Sequence, residues 1–188
     1  MPFQILDRPL PGVVVIRPDA YADERGLFIE AFRADRFEDM GIPPVFVQEN
    51  QSRSRKGVIR GLHFQWEPAM GKLMRVTRGR AYLVGVDIRW NSPTLGRWFG
   101  LEASDEDRTQ VWAPPGFARG FCSLEEGTEV LYKCTGTYDP KNESGIRWND
   151  ARIGLRWPLA DPILSPKDRD AQSLDDWLRR PESKRFAV

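Results

Sequence analysis

The feature that most constrains this chain's fold is its punctuation: between Val45 and Thr135, short apolar runs are cut off repeatedly by glycine, proline and polar clusters. Runs of that length are too short for ordinary helices and suit strands. Residues 45–50, 58–64, 72–77, 80–89, 98–102, 110–113, 118–124 and 128–135 read as strands, with Pro114, Pro115 and Gly116 marking a sharp corner. Upstream, 13–17 and 26–32 join them, and 19–26 reads as a polar turn. Many short strands with frequent turns predict a mainly β chain, a sandwich or barrel. The 15 prolines and 16 glycines fit that architecture. Helical spacing is confined to two short stretches. Residues 34–40 are stopped by Gly41, and 173–178 carry a Ser173 N-cap, an acidic first turn and an apolar stripe, so both are expected as short peripheral helices.

At 188 residues, the length predicts one domain, 1–188, with room for a real core. The 28 Lys and Arg against 27 Asp and Glu give a formal net charge of +1, so no global field recruits nucleic acid or an anionic membrane. Anion binding has to be local. The N-terminal residues lack a basic stretch followed by a long apolar run, and nothing approaches the roughly 18 apolar residues of a membrane span. A cytoplasmic chain is expected. Cys122 and Cys134 sit in apolar surroundings and read as reduced core residues.

Chemistry concentrates in residues 57–72, GVIRGLHFQWEPAMGK, which hold the single histidine, His63, between Arg60 and Lys72. If 58–64 is a strand, alternation places Arg60 and Leu62 on one face and Ile59, Gly61 and His63 on the other. A lone histidine is more often structural than catalytic, but cationic neighbours weigh against that reading here. One histidine argues against a mononuclear metal site. The cysteines lack CxxC spacing for zinc, and GxSxG, P-loop and GxGxxG signatures are absent. Neither metal nor cofactor is expected. What remains is acid–base chemistry built from a histidine, a carboxylate to orient it, a cation for developing negative charge and a phenol to return a proton.

Seven ordered blocks then become recognisable: ADERGLFIEAF, FVQENQSRSRKGVIRGLHFQ, GKLMRV with VDIR and SPTLG, PPGFARGF, LYKCTGTYDP, GIRWND and LSPKD. Together they resemble the dTDP-4-dehydrorhamnose 3,5-epimerases, metal-independent cupin enzymes acting on nucleotide sugars. The resemblance implies a cupin-type jelly roll with a few short peripheral helices. By it, His63 looks like the general base that takes a proton beside a C4 ketone, and Asp168 like its carboxylate partner. Lys72 matches the residue that stabilises the enolate oxygen, and Tyr132 the phenol that reprotonates from the opposite face. Arg60 resembles the family's diphosphate contact. Arg25, Phe28 and Glu30 match a segment that reaches into a neighbouring subunit's site, which implies a homodimer, while Gln48, Asn50 and Tyr138 match further pocket positions.

Two departures accompany the resemblance. The family's GFAHGF is here GFARGF, with Arg119, and the first aspartate of its Asp-Val-x-Val-Asp strand is here Leu83. A permanently charged guanidinium cannot mimic a neutral imidazole, so Arg119 is expected to meet a sugar or phosphate oxygen instead, altering substrate choice or restricting inversion to one carbon. The neutral reading is drift of a pair behind the site. The implied activity is epimerisation at carbon 3, carbon 5 or both of a nucleotide-diphosphate 4-keto-6-deoxyhexose, with the dTDP sugar first, on the route to L-rhamnose or a related deoxysugar. The alternatives are a single-position epimerase on a related keto-sugar and a non-catalytic cupin that only binds the sugar nucleotide.

Overall fold

The computed structural model describes residues 3–187; the extreme residues of the expected 1–188 domain, 1, 2 and 188, lie outside it. Its strands are β1 (Phe3–Asp7), β2 (Val14–Pro18), β3 (Ala20–Asp23), β4 (Gly26–Ile29), β5 (Gln48–Ser54), β6 (Ile59–Gln65), β7 (Lys72–Arg78), β8 (Arg80–Asp87), β9 (Trp98–Ser104), β10 (Gln110–Ala113), β11 (Phe117–Ser123), β12 (Thr128–Cys134) and β13 (Glu143–Gly145). Helices α1 (Ala34–Asp39), α2 (Pro166–Arg169) and α3 (Leu174–Arg179) and a 3-10 helix, Pro181–Phe186, lie outside the sheets. One sheet has the order β1-β2-β10-β7-β12-β5 and the other β13-β6-β11-β8-β9, with β3-β4 a separate hairpin. The pairings within them are antiparallel.

Alternation decides what each strand contributes. Met74 and Val76 of β7, Val130 of β12, Leu83 of β8, and Phe117 and Phe121 of β11 point between the sheets and form the central core. The opposite faces are also covered. Val14, Ile16, Leu73 and Trp112 pack under Phe37 and Met40 at α1, and Phe64, Val84 and Val86 pack under Leu174 and Trp177 of α3. Trp177 is fully buried, with its ring centroid 4.5 Å from that of Phe64. A capping box between Ser173 and Asp176 starts α3, so the helix expected at 173–178 is present and anchors this layer.

All ten expected strands are present, β10 with the expected bounds and the others with shifted ends. The largest shift is instructive. Residues 45–50 were expected as a strand on the strength of Val45 and Val47, yet both are exposed, and β5 runs Gln48–Ser54 instead. Its inward positions, Gln48, Asn50 and Ser52, line cavities, so no apolar pattern marks it. The expected polar turn at 19–26 is also corrected: β3 and β4 pair there, with only Asp23 to Gly26 turning. Gly26 at φ +124° permits that turn.

Candidate active site

Strands β6 and β11 lie unusually close where Gly61 meets Gly120. A Cβ on Gly61 would stand 2.6 Å from the Gly120 Cα, and Gly61 itself has φ +132°. Glycine alone meets both demands. Across this approach Arg119 pairs with His63 and Phe121 with Arg60, so two residues of β6, Gly61 and Leu62, stand opposite one of β11, Gly120, a β-bulge. The bulge resets the alternation. Arg60 and His63, expected on opposite faces, therefore line the same cavity of about 400 Å³ between the sheets.

Asp168 reaches that cavity by a separate route. Ile163 bridges to Val58 at the entrance to β6, and Ser165 then caps α2, with Pro166 at its first position. One turn later Asp168 is 4% exposed and accepts a 2.5 Å hydrogen bond from His63 Nε2. Ser165 Oγ donates to its other oxygen at 2.8 Å. Burial pushes the Asp168 carboxyl up, but the bonds from His63, Ser165 and the Gly61 N–H, with the attraction of His63, outweigh it and hold the group below the usual carboxylate value. An ionised Asp168 fixes the imidazole and leaves Nδ1 as its unbonded nitrogen among the described residues.

The facing sheet supplies the other two groups. Lys72 begins β7 and Tyr132 lies on the adjacent β12, with the Lys72 Nζ 4.6 Å from the Tyr132 ring centroid. Burial, reinforced by Arg119, lowers the Lys72 ammonium to about 8. Burial and Cys134 raise the Tyr132 phenol against the opposing influence of Asn50, Arg60 and Arg119. The phenol is thus held protonated, as a proton donor requires.

Of the residues singled out from the sequence, His63, Asp168, Lys72, Tyr132, Arg60 and Arg119 line the larger cavity. Gln48, Asn50 and Tyr138 line an adjoining one of about 150 Å³, which shares His63, Lys72, Tyr132 and Lys167 with it. Gln48 donates to Asn50 at 3.1 Å and accepts the Tyr138 N–H at 2.8 Å. Arg25 and Phe28 are not brought there. They stand on the β3–β4 hairpin beside a separate hollow of about 300 Å³, with Arg25 paired to Asp23 and Phe28 60% exposed. Glu30, just past β4, is partly buried and lines none of these cavities.

Sequence reasoning missed Lys167 and Glu143, an ion pair at the cavity. Lys167 stands in LSPKD beside Asp168, where its charge was a readable signal, whereas Glu143 lies in β13, too short for any periodicity. Cys122 and Cys134 are free and buried, as expected. Leu83 is fully enclosed in the core. Among the described residues, no group of three His, Cys, Asp or Glu is placed to hold a metal ion.

The sequence and the fold match known proteins. The family model for dTDP-4-dehydrorhamnose 3,5-epimerase covers residues 7–176. The enzyme of that name from Neisseria gonorrhoeae is 47% identical over 185 residues, 96% of this chain but only 56% of the longer relative. That from Methanothermobacter thermautotrophicus is 47% identical over 175 residues, covering 92% of this chain and 95% of the relative. The dTDP-6-deoxy-D-glucose-3,5-epimerase structure from Legionella pneumophila, in complex with dTDP-4-keto-L-rhamnose, superposes with a TM-score of 0.91 at 43% identity, covering 96% of each chain. A jelly roll carrying a His–Asp pair opposite a lysine and a tyrosine, together with these matches, places the chain in the dTDP-4-dehydrorhamnose 3,5-epimerase family.

Proposed function

We propose that the chain is an isomerase that inverts carbons 3 and 5 of dTDP-4-keto-6-deoxyglucose, giving dTDP-4-keto-L-rhamnose. The observation that carries this reading is the opposition of two proton-handling groups across one cavity, with the His63–Asp168 pair on one side and Tyr132 on the other. His63 Nδ1 takes the proton beside the C4 ketone, and Asp168 stabilises the imidazolium. Lys72 stabilises the enolate oxygen, while Tyr132 delivers a proton to the other face and inverts the centre. Both carbons flank the same ketone. One base and one acid serve both when the sugar changes its presentation between steps.

Arg60 holds the diphosphate, and Gln48, Asn50 and Tyr138 line the sugar-nucleotide path. Arg25, Phe28 and Glu30 complete the site of a second copy in a homodimer, a role supported by the exposed Tyr21, Leu27 and Phe28 of the hairpin. The chain acts as one cytoplasmic domain. No helix among the described residues is long and apolar enough to cross a membrane.

A second reading, inversion at one carbon only, draws on Arg119 and Leu83. Incubation with the dTDP keto-sugar in heavy water decides between them. Deuterium at both carbons with inversion supports the double epimerase, and deuterium at one supports the single-position enzyme. Thermal stabilisation by dTDP with no exchange at either carbon overturns both in favour of a binding cupin.

A further inference from the structure

Arg119 is a buried cation with no carboxylate partner among the described residues. It is 3% exposed, on the inward face of β11 between Phe117 and Phe121. Its Nη1 donates to the Met70 carbonyl at 2.6 Å, while Nε and Nη2 are buried without a hydrogen-bond partner. The neighbouring strand offers it nothing. Gly85 stands opposite in register, Leu83 two residues away is wholly apolar, and the Asp87 carboxylate is taken by Arg89, Ser92 and Thr94 at 2.6–2.9 Å. A buried charge left in this state costs stability, and the cavity that Arg119 lines is where an anion would offset that cost.

The anchor shows where the charge sits. Nη1 reaches the Met70 carbonyl and, at 3.4 Å, that of Ala113, whose Cα pairs with Lys72. The guanidinium is therefore at the Lys72 end of the cavity. Arg60 is tied elsewhere, to Ser54 Oγ and the Arg53 carbonyl at the far end of β5. Lys72 shares a register level with Cys134 and Gln48, and Ser54 lies six residues along β5 from Gln48, roughly 20 Å of strand. The two guanidinium groups are thus anchored at different ends of the cavity.

We infer that Arg119 is an electrostatic positioning residue for the reaction, a fixed positive charge beside Lys72 that stabilises the enolate oxygen formed at carbon 4. The inference rests on the proposed epimerase reading. Lys72 is faced by Arg119 from β11, by Tyr132 and Cys134 from β12, by His63 from β6 and by Lys167 from α2. Of the two other cations among them, Lys167 is paired with Glu143, whereas Arg119 stays charged near neutrality with no carboxylate to offset it. Its positive charge also repels that of Lys72, which contributes to the lowered Lys72 value. An anion between the two cations relieves that repulsion. The enolate appears as the proton leaves, so the benefit is greatest in the transition state.

The test compares Arg119→Met and Arg119→Lys with the unaltered chain, by turnover of dTDP-4-keto-6-deoxyglucose, dTDP affinity, Tm and the pH profile. Arg119→Met is expected to lower kcat roughly 10²-fold, with dTDP affinity within twofold, Tm not lowered, and the alkaline limb moved to higher pH. Arg119→Lys keeps kcat within tenfold. Weakened dTDP binding with kcat preserved places the charge at the diphosphate and overturns the inference, as does kcat within threefold for Arg119→Met. Should Arg119→Met not fold, Arg119→Lys decides: a loss as deep as that of His63→Ala overturns it. An unaltered chain that exchanges no substrate deuterium refutes the epimerase reading itself, whereas one that exchanges beside an equally active Arg119→Met refutes only the role of Arg119.

Discussion

Replacing Asp168 by Asn tests the site at its most constrained point. The side chain keeps its shape, and Ser165, which both donates to the carboxylate and accepts from its backbone N–H, can reorient its hydroxyl to suit an amide. The charge is lost. In the proposed reaction His63 becomes an imidazolium 2.5 Å from the Asp168 oxygen, with charge centres about 4 Å apart once both charges are spread over their groups. At the effective dielectric suited to such sites, that attraction is about 4 kcal/mol, or roughly 10³ in rate. Asp168→Asn is therefore expected to slow deuterium entry at carbons 3 and 5 by roughly 10³-fold, read by NMR in heavy water. Affinity for dTDP should stay within a few-fold, because the nucleotide does not carry the forming charge. A variant within tenfold of the unaltered rate would refute the electrostatic account of the pair. The pH dependence of folding supplies a check of its sign. The depressed Asp168 value means its contribution is fully present above the ordinary carboxylate value and lost as pH falls through its lower folded value; the Asn variant should lose that acid dependence.

Tyr132→Phe should separate exchange from inversion. His63 still forms the enolate and returns a deuteron to the same face, so label enters while epimer formation falls roughly 10²–10⁴-fold; equal loss of both contradicts a donor role. Lys72 titrates at about 8 in the folded chain against an ordinary 10.5, so kcat should fall above about pH 8. In the same window its contribution to stability should rise, because the unfolded chain then binds more protons; a flat rate to pH 10 excludes the ammonium from the mechanism. Gly61→Ala should cost about 2–4 kcal/mol from the positive φ and the clash with Gly120, lowering Tm by roughly 5–15 °C. A Tm within 2 °C would show that β6 and β11 separate easily.

Where alternation served a core, the sequence was legible. Regular strands such as β8 and β12 stand close to where their apolar residues predict them. Alternation failed where a strand serves a cavity. The inward face of β5 is Gln48, Asn50 and Ser52, which reads as loop, and the bulge beside Gly61 depends on a glycine in the partner strand, which no local pattern reveals. His63 and Lys72 stood out in residues 57–72 themselves, Tyr132 and Asp168 only through motif resemblance, and the structure brings all four to one cavity from three separate parts of the chain. Lys167 and Glu143 escaped because their pairing is purely tertiary, across 24 residues of sequence.

The charge of the cavity explains why the near-neutral whole says little about the substrate. Of its cations among the described residues, Lys167 is paired with Glu143, and the Asp168 carboxylate is engaged by His63. Arg60, Lys72 and Arg119 have no carboxylate partner there, Arg60 being held by a hydroxyl and a carbonyl. Those three cations stand at two ends of one cleft, the Arg60 end and the Lys72–Arg119 end. In the proposed reading a diphosphate brings about two negative charges to the first, and a ketone brings one to the second only when a neighbouring carbon loses its proton. On that reading the distribution favours the substrate's diphosphate throughout the reaction but favours its sugar most at the moment of enolisation. Anchoring energy is thereby kept apart from the interaction that grows in the transition state, which is the division an epimerase needs in order to accelerate proton transfer without holding its product too tightly.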